Sequence, residues 1–361
     1  MTSKNIEIKI EDLGYSAFFE SNRKKLNLDN FPIARVVVEY RGVYKVKNLD
    51  GEYLAKITGK QMFDALSRED YPAVGDWVAI KELGAGEASI QGILPRRTLI
   101  GRKYNKKDEM QIIATNIDVA FITESVDRDY NLNRLERYYA IANDEGVEPV
   151  IILNKIDLIS KNELDSKLAQ IKNRFNDIEV ILTSTETEEG LDKLKEFIVR
   201  GKTYCFMGSS GVGKSSLVNK LLGEDIVKTE SISLYTGRGK HTTTNREMYF
   251  LENGGIVIDN PGMREVGMTD TKDQVDNLFD EINVLAEGCK YGDCKHVTEP
   301  GCAVLSAVES GDLDKDKYTN FINLKKEVEH YEMSKLEKRE KDRQFGKFLK
   351  KAKKEFKNNK T

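Results

Sequence analysis

The chain has 361 residues, 39% of them hydrophobic and 32% charged, which is long enough for two or three compact domains and too polar for a membrane protein. No stretch reaches the roughly 18 uninterrupted apolar residues of a membrane span, and the opening residues, MTSKNIEIKIEDLG, lack the apolar core of a secretory signal, so a cytoplasmic protein without membrane contact is expected. The net charge of −3 conceals an asymmetry: residues 325–361 carry 14 Lys+Arg against 7 Asp+Glu, so a basic tail suited to phosphates follows an acidic body, although a solvated helix face has the same composition.

Residues 1–33 form an N-terminal extension in which the pattern after Ser21 reads as a short helix ending near Pro32. Over residues 34–98 the hydrophobic period becomes two, in ARVVVEY, VYKVKN, EYLAKIT, DWVAIKE and ASIQGIL, with turn signals at Asp50-Gly51, Gly75-Asp76 and Gly84-Ala85-Gly86. Five short strands in so few residues predict a small β-barrel of the OB type, which commonly binds oligonucleotides on one face and also serves as a plain spacer. The stretch PRRTLIGRKYNKKDEMQ that follows reads as a linker. Over residues 99–270 apolar runs alternate with helical patterns: DVAFIT, a helix over 131–145, PVIILN, a helix near 162–174, IEVILT, a helix near 190–200, TYCFMG, and then EMYFLE and GIVID. That alternation predicts an α/β domain with a parallel sheet of about six strands. A helix near 273–285 leads into a small, mostly helical, cysteine-rich domain over 271–330, and residues 331–361 form the basic helical tail.

The α/β segment carries the chemistry. Gly208-Ser209-Ser210-Gly211-Val212-Gly213-Lys214-Ser215 matches G-x-x-x-x-G-K-[ST] between an apolar strand and a helical pattern that continues through Ser216. Such a loop curls backbone N–H groups around phosphates at a helix N-terminus; Lys214 can reach the β and γ oxygens, and the Ser215 hydroxyl can ligate Mg²⁺. Asp259 ends the strand GIVID before Asn260-Pro261-Gly262, which places a carboxylate where the metal would sit; alone, the tetrapeptide is only a turn. Asn154-Lys155-Ile156-Asp157 ends another strand, and the Asp157 carboxylate can accept both the ring N–H and the exocyclic amine of guanine. Adenine lacks that donor pair and would leave the carboxylate unmatched, so GTP is expected over ATP. In isolation the same residues could cap a helix, because Asp157 and Ser160 are both good N-caps. Thr183-Ser184-Thr185 ends a third strand, with Ser184 placed to support the base.

Between Ser215 and Asp259 lies the glycine-rich, basic stretch SLYTGRGKHTTTNRE. Thr242 or Thr243 could complete the Mg²⁺ shell and sense the γ-phosphate, and a neutral His241 could orient the attacking water. Met263 occupies the place where many GTPases carry a water-positioning Gln, so slow intrinsic hydrolysis is expected, rising when a partner orders the loop. The base-reading motif precedes the phosphate loop, the reverse of the usual order, so the GTPase domain reads as circularly permuted. Further on, Cys289-x4-Cys294-x-His296-x5-Cys302 supplies the Cys₃His set of a structural Zn²⁺ site, whereas Cys205, alone in an apolar run, reads as core.

These features resemble the bacterial ribosome small-subunit-dependent GTPase A family. The resemblance covers roughly residues 34–310 and rests on PRRT at 95–98, ATNID at 114–118, NKID at 154–157, GSSGVGKSS at 208–216, GRGKHTTT at 237–244, DNPG at 259–262 and the Cys/His cluster. Asn260 and Thr115 depart from the usual Thr and Ala without touching a proposed ligand. The resemblance implies an OB barrel, a permuted GTPase and a zinc domain with one structural Zn²⁺ on Cys289, Cys294, His296 and Cys302. It also implies hydrolysis of Mg²⁺-bound GTP to GDP and phosphate, stimulated by the small ribosomal subunit late in its maturation. The barrel and tail would contact rRNA, and a monomer is the expectation for assembly. The competing readings are an assembly factor that holds GTP as a structural ligand, and a GTPase serving a protein partner away from ribosomes.

Overall fold

The alternating pattern of residues 34–98 closes into a five-stranded barrel in the computed structural model, which describes residues 8–40, 42–103, 110–127, 130–175, 177–224, 246–259 and 279–332. Its strands are β1 (Ile33–Glu39), β2 (Tyr44–Lys47), β3 (Glu52–Ile57), β4 (Trp77–Gly84) and β5 (Glu87–Ile93). The order β1-β2-β3-β5-β4 returns to β1, with β3 and β5 parallel and the other pairs antiparallel. Val36, Val46, Ala55, Val78, Ile80 and Ile90 fill the interior. β4 opens on four consecutive buried residues because its two faces meet different partners. Val78 and Ile80 belong to the barrel core, whereas Trp77 packs with Leu13, Tyr15 and Phe19 from the N-terminal segment. Helix α1 (Ala17–Lys25) supplies Phe19, so the expected helix begins before Ser21 and stops well short of Pro32, and a short helix α2 (Gly59–Asp64) follows β3. The Tyr15 ring meets Trp77 edge-on, 4.8 Å between centroids, which fixes residues 8–33 on the barrel.

The stretch read as a linker contains β6 (Leu99–Lys103) and the start of β7 (Met110–Thr115), paired antiparallel. Ile100 and Ile113 reach the main core, and it is this burial that overrides the charged composition. The α/β segment then runs β8 (Val119–Ser125), α3 (Leu132–Asp144), β9 (Glu148–Asn154), α4 (Lys161–Arg174), β10 (Val180–Thr183), α5 (Leu191–Phe197), β11 (Thr203–Met207), α6 (Lys214–Leu222), β12 (Glu247–Phe250) and β13 (Ile256–Asp259). The spatial order is β10-β9-β8-β11-β13-β12, parallel throughout except for β12. Both faces are covered, which is why β8 is buried along its whole length. Leu135 and Ile141 of α3 and Ile171 of α4 pack on one face, and Leu191 and Leu194 of α5 with Leu217 and Val218 of α6 pack on the other.

Barrel and α/β sheet are continuous. β1 gives one edge to β4 as far as Arg35 and then pairs with β12 at Val38↔Glu247, with a bulge between Val36 and Val38 that bends the strand between its two roles. The PRRT and ATNID segments lie beneath this junction. Arg96 forms a bidentate pair with the buried carboxylate of Asp76, at 2.9 and 2.8 Å. The Thr98 hydroxyl donates to the Ile117 carbonyl and accepts from the Ile117 N–H, both at 2.7 Å. Asp118 pairs with Arg97 and accepts the Thr203 N–H at 2.7 Å, which fixes the start of β11. Arg35, fully buried, donates to the carbonyls of Leu13 (2.6 Å), Gly75 (3.3 Å) and Asn116 (3.2 Å) and to the Thr203 hydroxyl (2.9 Å). One guanidinium thereby joins the N-terminal segment, the barrel, the connector and the strand that runs into the phosphate loop.

The chain divides into two compact units, residues 1–269 and 270–361. The described part of the second unit holds α7 (Asp280–Ala286), α8 (Ala303–Ser310) and α9 (Lys315–Glu332). Phe279, Ile282, Val304, Leu313, Phe321 and Leu324 are among its buried apolar residues, with the Phe279 and Phe321 rings edge-on at 5.3 Å. The helix expected near 273–285 falls partly outside the described residues, and the tail beyond 332 lies outside them.

Candidate functional site

β11 delivers the phosphate loop, and two of its glycines are required by what surrounds them. Gly208 has φ +142°, and a Cβ there would stand 2.2 Å from the Thr123 carbonyl oxygen; at Gly213, with φ +100°, a Cβ would stand 2.2 Å from Asn154 Nδ2. Neither position can carry a side chain. The same contacts seat the loop against β8 and against the end of β9. α6 begins at Lys214, so Ser215 and Ser216 occupy its first turn. Lys214 is buried, and its ammonium donates to the carbonyls of Gly208 (2.8 Å) and Ser209 (2.6 Å). Tyr138 of α3 hydrogen-bonds the Ser209 side chain, a contact that the sequence pattern does not reveal because Tyr138 reads as one more apolar position of its helix. Val212 is buried, whereas Ser210 and Gly211 lie toward solvent.

The Asn-Lys-Ile-Asp residues take distinct positions. Asn154 donates from Nδ2 to the Val212 carbonyl at 2.8 Å and accepts at Oδ1 from the Thr183 hydroxyl at 3.0 Å, so it ties the base-reading loop to the phosphate loop. Lys155 sits in the left-handed region at φ 63°. Ile156 is buried in the main core, where it anchors the loop. Asp157 accepts the Ser184 hydroxyl at 2.5 Å, and the Ser184 oxygen in turn accepts the Glu186 and Thr187 N–H groups at 3.2 and 3.1 Å. The carboxylate is thus oriented by a hydroxyl whose own direction is set by backbone donors. Asp259 ends β13 and is buried; its neighbour Ile258 pairs with Cys205, which brings the carboxylate to the strand edge beside the phosphate loop. A buried carboxylate at a strand end is the donor type that a hard divalent cation takes. A cleft of about 570 Å³ lies between α5 and α6, lined by Leu191, Asp192 and Lys195 of one and Ser216, Asn219 and Lys220 of the other, and reaches Thr185 and Glu186 after β10. His241, Thr242, Thr243 and residues 260–263 lie outside the described residues. Cys205 is buried in the core as expected.

In the second unit, the ligand atoms of Cys289, Cys294, His296 and Cys302 all lie within 4.8 Å of one another. Tetrahedral Zn²⁺ with Zn–S of about 2.3 Å and Zn–N of about 2.0 Å requires S···S of about 3.8 Å and S···N of about 3.5 Å. Cys289 and Cys302 stand 3.8 Å apart at sulfur, and His296 Nδ1 is 3.5 and 3.4 Å from them, so these three match the spacing the ion needs, and the Cys294 sulfur, within 4.8 Å of them, offers the fourth donor. The loop between the ligands is held by Glu299, which accepts the N–H groups of Lys295, Val297 and Thr298 at 3.0, 2.9 and 2.9 Å. These bonds hold its carboxyl down at about 2. The Tyr318 hydroxyl donates to the His296 carbonyl at 2.7 Å, which tethers the His296 backbone at its unusual φ of 60°.

No helix among the described residues is long and apolar enough to cross a membrane. Compared with known proteins, residues 93–269 match the family described as RsgA GTPase. A protein of Bacteroides thetaiotaomicron named small ribosomal subunit biogenesis GTPase RsgA 1 is 41% identical over 323 residues, 89% of this chain and 90% of that protein. The crystal structure of YjeQ from Thermotoga maritima is 26% identical, with a TM-score of 0.58 over 82% of this chain and 98% of that one. The structure of YloQ, titled a circularly permuted GTPase, is 22% identical at a TM-score of 0.56 and covers 84% of this chain and 97% of its own, which shows the shared fold. With 41% identity over nearly nine tenths of both sequences, and with the barrel, the permuted strand order and the Cys₃His cluster all present, the chain belongs to the RsgA GTPase family.

Proposed function

We propose that this protein hydrolyses GTP to GDP and phosphate in a Mg²⁺-dependent reaction stimulated by the small ribosomal subunit, during late maturation of that subunit. The observation that carries the chemistry is Asn154, which joins the guanine-reading loop to the phosphate loop through the Val212 carbonyl, with Asp157 already oriented by Ser184. The biological setting comes from relatives named small ribosomal subunit biogenesis GTPases.

In this reading Asp157 accepts the two guanine donors, and Asn154 and Ser184 keep the reading edge in place. Lys214 turns its ammonium from the loop carbonyls to the β and γ oxygens, and the loop N–H groups of residues 208–216 surround the phosphates. Ser215 and Asp259, with Thr242 or Thr243, would hold Mg²⁺, which neutralises charge on the phosphate oxygens when bound. His241 orients the attacking water in the complex with the small subunit. Cys289, Cys294, His296 and Cys302 would hold one structural Zn²⁺. The barrel and the Lys-rich tail supply rRNA contacts, the chain acts as a cytoplasmic monomer, and binding weakens by roughly one logarithmic unit per log unit of salt for each neutralised phosphate.

The test is GTP turnover by the purified protein with and without small ribosomal subunits, beside Lys214→Ala. Stimulation that disappears in the variant is expected, and His241→Ala should lose the stimulated rate while keeping GTP binding. Tight GTP binding with no stimulation would replace this reading with GTP as a structural ligand or with a partner away from ribosomes.

A further inference from the structure

The nucleotide site has a third wall that no motif covers. β8 lies between the strands carrying the two motifs: Phe121 and Ile122 pair with Phe206 and Met207 of β11, and Ser125 pairs with Asn154 of β9. The segment leaving β8 therefore starts beside the base-reading loop, and the Val126 N–H donates to the Asn154 carbonyl at 3.1 Å. One residue later, Asp127 Oδ2 accepts the Lys155 ammonium at 2.9 Å. Its other oxygen, Oδ1, accepts the Ser125 hydroxyl at 2.7 Å, and its carbonyl accepts the Tyr130 N–H at 3.0 Å. Both partners of the ion pair are mostly buried, with side chains 21% and 28% exposed.

Lys155 stands between Asn154, which seats the phosphate loop, and Asp157, which reads the base. A lysine stem has four rotatable bonds, and ordering them as a ligand arrives subtracts from its affinity. Here the ammonium is held in advance by a carboxylate that is itself fixed. We propose that Asp127 is a positioning residue for the guanine nucleotide, acting through Lys155 to order the base-reading loop before the base enters. The inference rests on the guanine-nucleotide reading of the site. The plainer role, a turn residue closing the end of β8, uses the same backbone contact with Tyr130 but gives the Lys155 contact no consequence for binding.

The two roles separate in a double-mutant cycle on the full chain, with GDP affinity and dissociation rate read by a fluorescent guanine nucleotide and thermal stability recorded alongside. Asp127→Asn keeps the shape and removes the charge. It is expected to weaken GDP binding about fivefold, ~1 kcal/mol, mostly through faster dissociation. Lys155→Met should show a loss of similar size, the double variant should be no weaker than Lys155→Met alone, and Asp127→Glu should recover part of the affinity. Unchanged affinity in Asp127→Asn, or losses that simply add in the double variant, would overturn the proposal. If Asp127→Asn does not fold, Ser125→Ala releases the carboxylate without touching Lys155; a faster GDP dissociation supports the proposal and an unchanged rate overturns it. A wild-type chain that binds no guanine nucleotide would instead sink the reading on which the inference rests.

Discussion

Arg35 shows how much a single residue can hold in place. Burial lowers its pKa to about 10, so it stays charged at neutral pH, and its guanidinium meets acceptors from four parts of the chain. Replacing a whole buried polar network by apolar groups can be neutral, but removing only the donor leaves its acceptors desolvated and unmatched. Arg35→Met is therefore expected to destabilise the first unit by about 3 kcal/mol, measured by urea unfolding. The sequence gives little warning of this role, since Arg35 reads as the polar member of an alternating strand. The candidate nucleotide residues stand out far more in the sequence, because phosphate and guanine recognition require particular residue types at fixed spacing within each motif. Asp127 was not, for a carboxylate just past a strand is a common turn residue until its partner is seen.

Among the elements, those with strong periodicity and clear ends match expectation. α3 starts after Asn131, whose side chain accepts the Arg134 N–H, and α4 starts at a Ser160–Glu163 capping box, both close to the expected limits. β6 and β7 escaped because they are short and separated by charged residues, so their pattern is visible only once they pair. The C-terminal end of α3 makes a testable point. Burial, and then the neighbouring Asp144, push the carboxyl of its C-cap Glu145 up from the ordinary 4.5 to about 7. The folded chain thus retains a proton that the unfolded chain has lost, so this group's effect is to reduce stability as pH rises from about 4.5 to about 7. Glu145→Gln is expected to flatten that part of the stability curve and to raise stability at pH 8, read from urea unfolding at several pH values.

At the scale of the whole molecule, the sequence separates a barrel from a permuted GTPase, whereas the structure joins them through β1 and β12 and through the contacts of Arg35. Such a junction is invisible to periodicity, which reports the face a residue buries and not the strand it pairs with. The consequence is cooperative unfolding of the first unit. Trp77, the single tryptophan, stands on barrel strand β4 and is buried against the N-terminal segment, so it reports on the packing of that segment on the barrel. Its fluorescence transition in urea is expected to coincide with the loss of guanine-nucleotide binding; two separated midpoints would show that the junction does not couple them.

The pairing of Val38 with Glu247 also has a history during synthesis. About 210 residues separate the two positions, and at about 5–20 residues per second the ribosome needs roughly 10–40 s to deliver the second strand. Throughout that interval the later half of β1 offers unmatched backbone donors and acceptors to any neighbouring nascent chain. The bulge between Val36 and Val38, which in the finished molecule lets one strand serve two sheets, twists this waiting edge and makes it a poor template for intermolecular pairing.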